Sequence, residues 1–92
     1  MDIYNIEVYD ITNDTSKIAY TCEYKPLHFV VKIILIKLIS RYDGLFDELK
    51  SAYRFRGKNI EPVIKSLIDN KVLHTKMLDI KITKTELNRI EL

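Results

Sequence analysis

The sequence predicts an α+β fold in one domain: an N-terminal β-hairpin, three helices and a short two-stranded C-terminal hairpin. Three patterns carry this reading. Apolar and polar residues alternate over residues 3–24, the apolar spacing becomes helical over 26–70, and alternation returns after residue 72. The chain has 92 residues, 47% hydrophobic and 30% charged, which is the balance of a folded domain rather than a disordered tail. A chain of this length buries one small core and leaves little room for a deep catalytic cleft.

Residues 3–24 form the first hairpin. Tyr4, Ile6 and Val8 alternate with Asn5, Glu7 and Tyr9, and Ile18, Tyr20, Cys22 and Tyr24 alternate with Ala19, Thr21 and Glu23. Thr12, Asn13, Asp14, Thr15 and Ser16 supply the turn, because their short polar side chains bond nearby backbone and compete with strand pairing. Tyr4, Tyr9, Tyr20 and Tyr24 each offer a large ring tipped by a hydroxyl, which suits a protein partner.

Pro26 suits a first helical turn, so the first helix covers 26–41, ahead of Asp43-Gly44. Leu27, Val30, Val31, Ile34, Leu35, Leu38 and Ile39 follow helical spacing, while Phe29, Ile33 and Ile36 make the helix apolar almost all round. Such a helix is covered on more than one side, by the N-terminal hairpin or by a second copy of the chain. Lys32 and Lys37 interrupt the run, which falls short of the roughly 20 residues that cross a bilayer.

The second helix covers 46–55, with Asp47 near its start, where a carboxylate meets free backbone N–H groups, and with Leu49, Ala52 and Tyr53 toward the core. Residues 54–59 form a turn in which Gly57 is free to take a positive φ. The third helix covers 59–70, with Asn59 as N-cap, Pro62 tolerated in the first turn, and Ile60, Val63, Ile64, Leu67 and Ile68 inward. Two short strands at 72–77 and 80–83 flank Leu78-Asp79, and 85–92 closes the domain as a short helix.

The net charge of +2 conceals an asymmetry. Residues 1–24 carry Asp2, Glu7, Asp10, Asp14 and Glu23 against Lys17, a net of −4. Residues 50–85 carry nine Lys or Arg against Glu61, Asp69 and Asp79, a net of +6. A field divided in this way steers polyanions or an acidic protein surface toward the basic half.

Glu48-Leu49 with Ala52-Tyr53, then Ile60, Ile64 and Leu67, then Val72-Leu73, resembles the signature of the winged helix-turn-helix family. Ile82-Thr83-Lys84 is similar to the segment that leaves the second strand of the wing. The likeness covers residues 27–92 and rests on apolar spacing; in element order the chain is similar to small archaeal and archaeal-virus winged-helix proteins. It implies a winged-helix domain over 26–92, a three-helix core with a short two-stranded wing, with the hairpin of 1–25 packed on it.

In that family the third helix enters the major groove of duplex DNA. The resemblance places Lys58, Asn59, Glu61, Pro62 and Lys65 at the reading positions, with Arg54, Arg56, Lys76, Lys81 and Lys84 on phosphates. Asn59 would bond adenine, and Lys58 or Lys65 would reach guanine or phosphate. Glu61 repels phosphate, and Pro62 brings no polar side chain. The wing tip lacks Gly and Arg. Lys71 stands where the family often has a glycine, and Asn70 is expected to take the left-handed conformation instead.

Cys22, His28 and His74 do not form a metal-binding spacing, and no nucleophile elbow, phosphate loop or dinucleotide fingerprint occurs. A non-enzymatic protein without metal or cofactor is expected. The N-terminus lacks the basic start and apolar block of a signal peptide, so a cytoplasmic location is expected. Two functions follow: a transcription regulator that binds duplex DNA, as a homodimer, or an accessory subunit that docks through its tyrosine-bearing hairpin onto a replication or transcription complex. A third reading is a homodimer whose first helix and hairpin bury each other.

Overall fold

The computed structural model describes residues 2–23 and 26–86. The described chain runs β1 (Asp2–Asp10), β2 (Thr15–Glu23), α1 (Leu27–Arg41), α2 (Leu45–Tyr53), α3 (Glu61–Asn70), β3 (Val72–His74) and β4 (Leu78–Glu86). It is an α+β architecture in which the four strands form one antiparallel sheet of order β2-β1-β4-β3.

The N-terminal hairpin is thus built into the same sheet as the C-terminal strands. β1 pairs with β4 over its whole length, from Asp2↔Glu86 to Asp10↔Leu78, and with β2 on its other side. This corrects the expected strands after α3. The turn falls at Thr75–Met77 rather than Leu78-Asp79, and Thr85 and Glu86 continue β4 instead of starting a helix. Pairing with β1 supplies backbone partners that the local sequence does not reveal. The rest of the expected helix, 87–92, lies outside the described residues.

Alternation sorts the sheet into two faces. Tyr4 and Ile6 of β1, Leu73 of β3, and Leu78, Ile80 and Ile82 of β4 point under the helices and are buried. Their counterparts are Leu27, Val31 and Leu35 of α1, Leu45 and Leu49 of α2, and Val63, Ile64 and Leu67 of α3. Each such aliphatic side chain contributes about 1.5–3 kcal/mol by leaving water. The opposite face carries a polar ladder: Thr21 Oγ1 donates to Asn5 Oδ1 at 2.9 Å, and Asn5 Nδ2 donates to Thr85 Oγ1 at 3.1 Å.

Helix ends depend on unusual backbone. Gly44, at φ 85°, turns the chain from α1 into α2; an added Cβ there would lie 3.2 Å from Met77 Cε. α3 ends on Lys71 at φ 64°, whose N–H donates to Leu67 O at 2.9 Å. The left-handed residue is therefore Lys71, not Asn70, which remains helical. Ala52 is exposed although a core position was expected, because α2 stops at Tyr53 and packs through Leu45 and Leu49.

Candidate nucleic-acid interface

Between α2 and α3 the chain places three cations in one short turn. Arg54 leaves α2 at φ 52° with its N–H bonded to Lys50 O at 2.8 Å, and Gly57 takes φ 58° before Asn59 N–H donates to Arg56 O at 3.2 Å. Phe55 is buried between the two arginines, its ring edge-on to Phe46 with centroids 5.6 Å apart. That anchor fixes the pattern: ring inward, Arg54 and Arg56 outward, with Lys58 exposed beyond them. Lys50, in the last turn of α2, is exposed as well and lies 5.8 Å from the Phe46 ring centroid.

No acidic residue occurs in 54–60. Among the described residues His28 Nε2 is hydrogen-bonded to Glu61 Oε2 at 2.7 Å and His74 Nδ1 to Asp79 Oδ1 at 3.0 Å, while Arg54, Arg56, Lys58 and Lys65 enter no ion pair. The exposed row of α3 is mixed by comparison. Glu61, Lys65 and Asp69 follow one another every fourth residue, so Lys65 sits between two acids on the face expected to enter the groove. Asn59 is partly engaged, since its Oδ1 accepts the Glu61 N–H at 3.3 Å.

The lysines expected on the wing are divided. Lys76 lies in the β3–β4 turn, and its backbone N–H donates to both Glu48 carboxylate oxygens, at 2.9 and 3.2 Å, which ties the turn to the first turn of α2. Lys81 belongs to the outer row of β4, whereas Lys84 falls in register with the inward Leu78, Ile80 and Ile82. The structure gathers Arg54, Arg56, Lys58 and Asn59 in one turn with Lys65 on the helix that follows, and does not gather Lys76, Lys81 and Lys84 with one another.

The tyrosines proposed for a partner also separate. Tyr4 is only 8% exposed, because its row packs under the helices, and Lys71 Nζ lies 5.8 Å from its ring centroid. Tyr9 stands on the outer face with its hydroxyl donated to the Asp14 carboxylate, which pushes the phenol pKa up. Tyr20 is 51% exposed, and Tyr24 lies outside the described residues. Cys22, His28 and His74 sit on β2, α1 and β3, and among the described residues no cluster of three or more His, Cys, Asp or Glu could hold a metal.

Within a single chain the second apolar side of α1 is not covered by the hairpin. Phe29, Ile33 and Ile36 of α1 are 64%, 36% and 50% exposed, so the hairpin covers one side of this helix and not the other. With Tyr20 and Val8 of the hairpin and Lys37 and Arg41 of α1, Phe29 and Ile33 line a groove of about 800 Å³. The all-round apolarity of α1 was the available signal; which side would stay bare depends on strand pairing far along the chain. Among the described residues no helix is long and apolar enough to cross a membrane. Comparison of the chain with protein-family models, curated proteins and solved structures finds no match.

Proposed function

We propose that this chain is a non-enzymatic duplex-DNA-binding domain of winged-helix type that holds the phosphate backbone with the turn between α2 and α3. The observation that carries the proposal is the outward set Arg54, Arg56 and Lys58, anchored by buried Phe55 and without an acid among residues 54–60. The order α2, turn, α3 and β3–β4 hairpin supports the winged-helix assignment. Guanidinium groups suit phosphate because their planar donors match its oxygens and they stay charged at any physiological pH.

Backbone contact outweighs base reading in this account. Glu61 and Asp69 flank Lys65 on α3 and disfavour deep entry into a groove lined by phosphates, so little discrimination among sequences is expected. Fluorescence anisotropy with a labelled mixed-sequence duplex at low salt tests the reading. The variant with Arg54, Arg56 and Lys58 all changed to Ala should lose about tenfold or more in affinity. Equal binding by the variant and the parent would end the proposal.

A second reading, docking on a larger DNA-processing assembly, is favoured by the apolar groove beside α1. Both readings are compatible in one chain, since the turn and the groove use different residues.

A further inference from the structure

We infer that the groove between α1 and the N-terminal hairpin receives an acidic amphipathic helix of a partner protein; the inference deepens the docking reading and does not depend on DNA binding. α1 has two apolar sides. One holds Val30, Val31, Ile34, Leu35 and Leu38 in the core, and the other presents Phe29, Ile33 and Ile36 to solvent. The groove takes Phe29 and Ile33 from this side and continues along Lys37 and Arg41, so positions 29, 33, 37 and 41 form its α1 wall, about 18 Å long at 1.5 Å per residue, which matches roughly three turns of a second helix.

The charges beside this stripe select the partner. Lys37 and Arg41, one helical turn apart, line the groove wall, whereas Lys32 lies on the opposite flank of the exposed stripe, outside the groove. α1 contains no Asp or Glu, and none of these three cations enters an ion pair among the described residues. Asp10, the acid among the described residues that line the groove, is already occupied: it accepts from Tyr42 Oη at 2.7 Å, Asn13 N–H at 3.1 Å and Asn13 Nδ2 at 2.9 Å. The groove therefore offers an apolar floor with unpaired positive charge on its rim. A partner helix with an apolar row and carboxylates one turn apart satisfies both.

The same charges argue against a second copy. Two α1 helices packed antiparallel about a two-fold axis set like flanks together, and packed in parallel set the Lys32 flank against the Lys37 and Arg41 flank; either way cation meets cation and repels. A lipid surface fits less well than a helix, because the hairpin wall carrying Tyr20 and Val8 makes the site concave whereas a bilayer is flat.

The test uses the full chain and two designed helix-forming peptides, each with one leucine row. One carries glutamates on its flanks, the other lysines. Titration by anisotropy, with shifts in a two-dimensional amide NMR spectrum to locate the site, should show the glutamate peptide binding at least about tenfold tighter than the lysine peptide, with shifts clustered at Phe29, Ile33, Lys37 and Arg41. Ile33→Asp should abolish binding, and its circular dichroism should match the parent because Ile33 is partly exposed. The double variant Lys37→Glu with Arg41→Glu should reverse the preference toward the lysine peptide, which a misfolded protein would not do. Equal affinity for both peptides, shifts located elsewhere, a dimer in light scattering that Ile33→Asp dissociates, or binding to phosphatidylserine vesicles but to neither peptide would each overturn the proposal. DNA affinity measured on the same variants separates the two surfaces: it should stay within about twofold for Ile33→Asp, whatever the peptides do.

Discussion

Tyr42 donates its hydroxyl to Asp10 Oδ2 at 2.7 Å, joining the residue that ends α1 to the last residue of β1. Asn13 completes the arrangement with its backbone N–H at 3.1 Å and its side-chain amide at 2.9 Å, so one carboxylate fixes both the hairpin turn and the helix. Tyr42→Phe keeps the ring and deletes the donor. Its melting temperature should fall by roughly 5 °C at neutral pH, measured by circular dichroism.

The same carboxylate predicts acid sensitivity. The Tyr42 hydroxyl, followed by the Asn13 backbone N–H, holds the Asp10 carboxyl below the usual carboxylate range. Its folded pKa lies under its unfolded value of about 3.9, so the contribution is complete above that value and is lost as pH falls through the folded pKa. Asp10→Asn should therefore flatten the fall in melting temperature below about pH 4 relative to the parent. A parallel fall in both proteins would assign the acid loss to other carboxylates.

Ile64 is fully buried at the centre of α3 against the sheet. Ile64→Ala should cost about 2–5 kcal/mol, the lost transfer energy plus the cavity left behind, in urea unfolding with an unchanged slope. A loss below about 1 kcal/mol would mean that α3 does not pack as described.

Gly44→Ala meets two penalties at once, the left-handed backbone at φ 85° and the 3.2 Å approach to Met77 Cε. A loss of about 1 kcal/mol or more is expected. Adding Met77→Ala removes the clash but not the backbone strain, so the Gly44→Ala penalty should shrink and not vanish in that background.

Arg54 occupies φ 52°, a conformation that costs a side-chain-bearing residue about 1 kcal/mol relative to glycine. Arg54→Gly should accordingly melt at or above the parent temperature while binding duplex DNA more weakly. Higher stability together with lower affinity would mark Arg54 as retained for what it touches rather than for how it folds.

The helices were legible because their apolar spacing is local. Ile60, Val63, Ile64 and Leu67 are inward as expected, and α1 keeps its bounds within a residue. The sheet was less legible, since the length of β4 depends on β1, whose Tyr4, Ile3 and Asp2 lie about eighty residues away in the chain from their partners Lys84, Thr85 and Glu86. Tyr4 illustrates the cost: its alternation identified a strand, but only the pairing with β4 determines that its row goes under the helices. The His28–Glu61 contact and the Tyr42–Asp10 bond join residues with no sequence relation, and no local pattern announces either. At the proposed interface, the cations of 54–58 were evident from composition. The inward turn of Phe55, which presents Arg54 and Arg56 together, was not, because a sequence ending a helix at Phe55 does not say where its ring goes.

The most direct measurement is the salt dependence of binding to a mixed-sequence duplex, followed by anisotropy from about 20 to 200 mM NaCl. If Arg54, Arg56, Lys58 and Lys65 each neutralise one phosphate, log K against log salt should fall with a slope of about −3 to −4, and the variant lacking the first three cations should approach −1. No binding at the lowest salt, or binding whose slope is the same in both proteins, would contradict the assignment of this turn as the DNA contact.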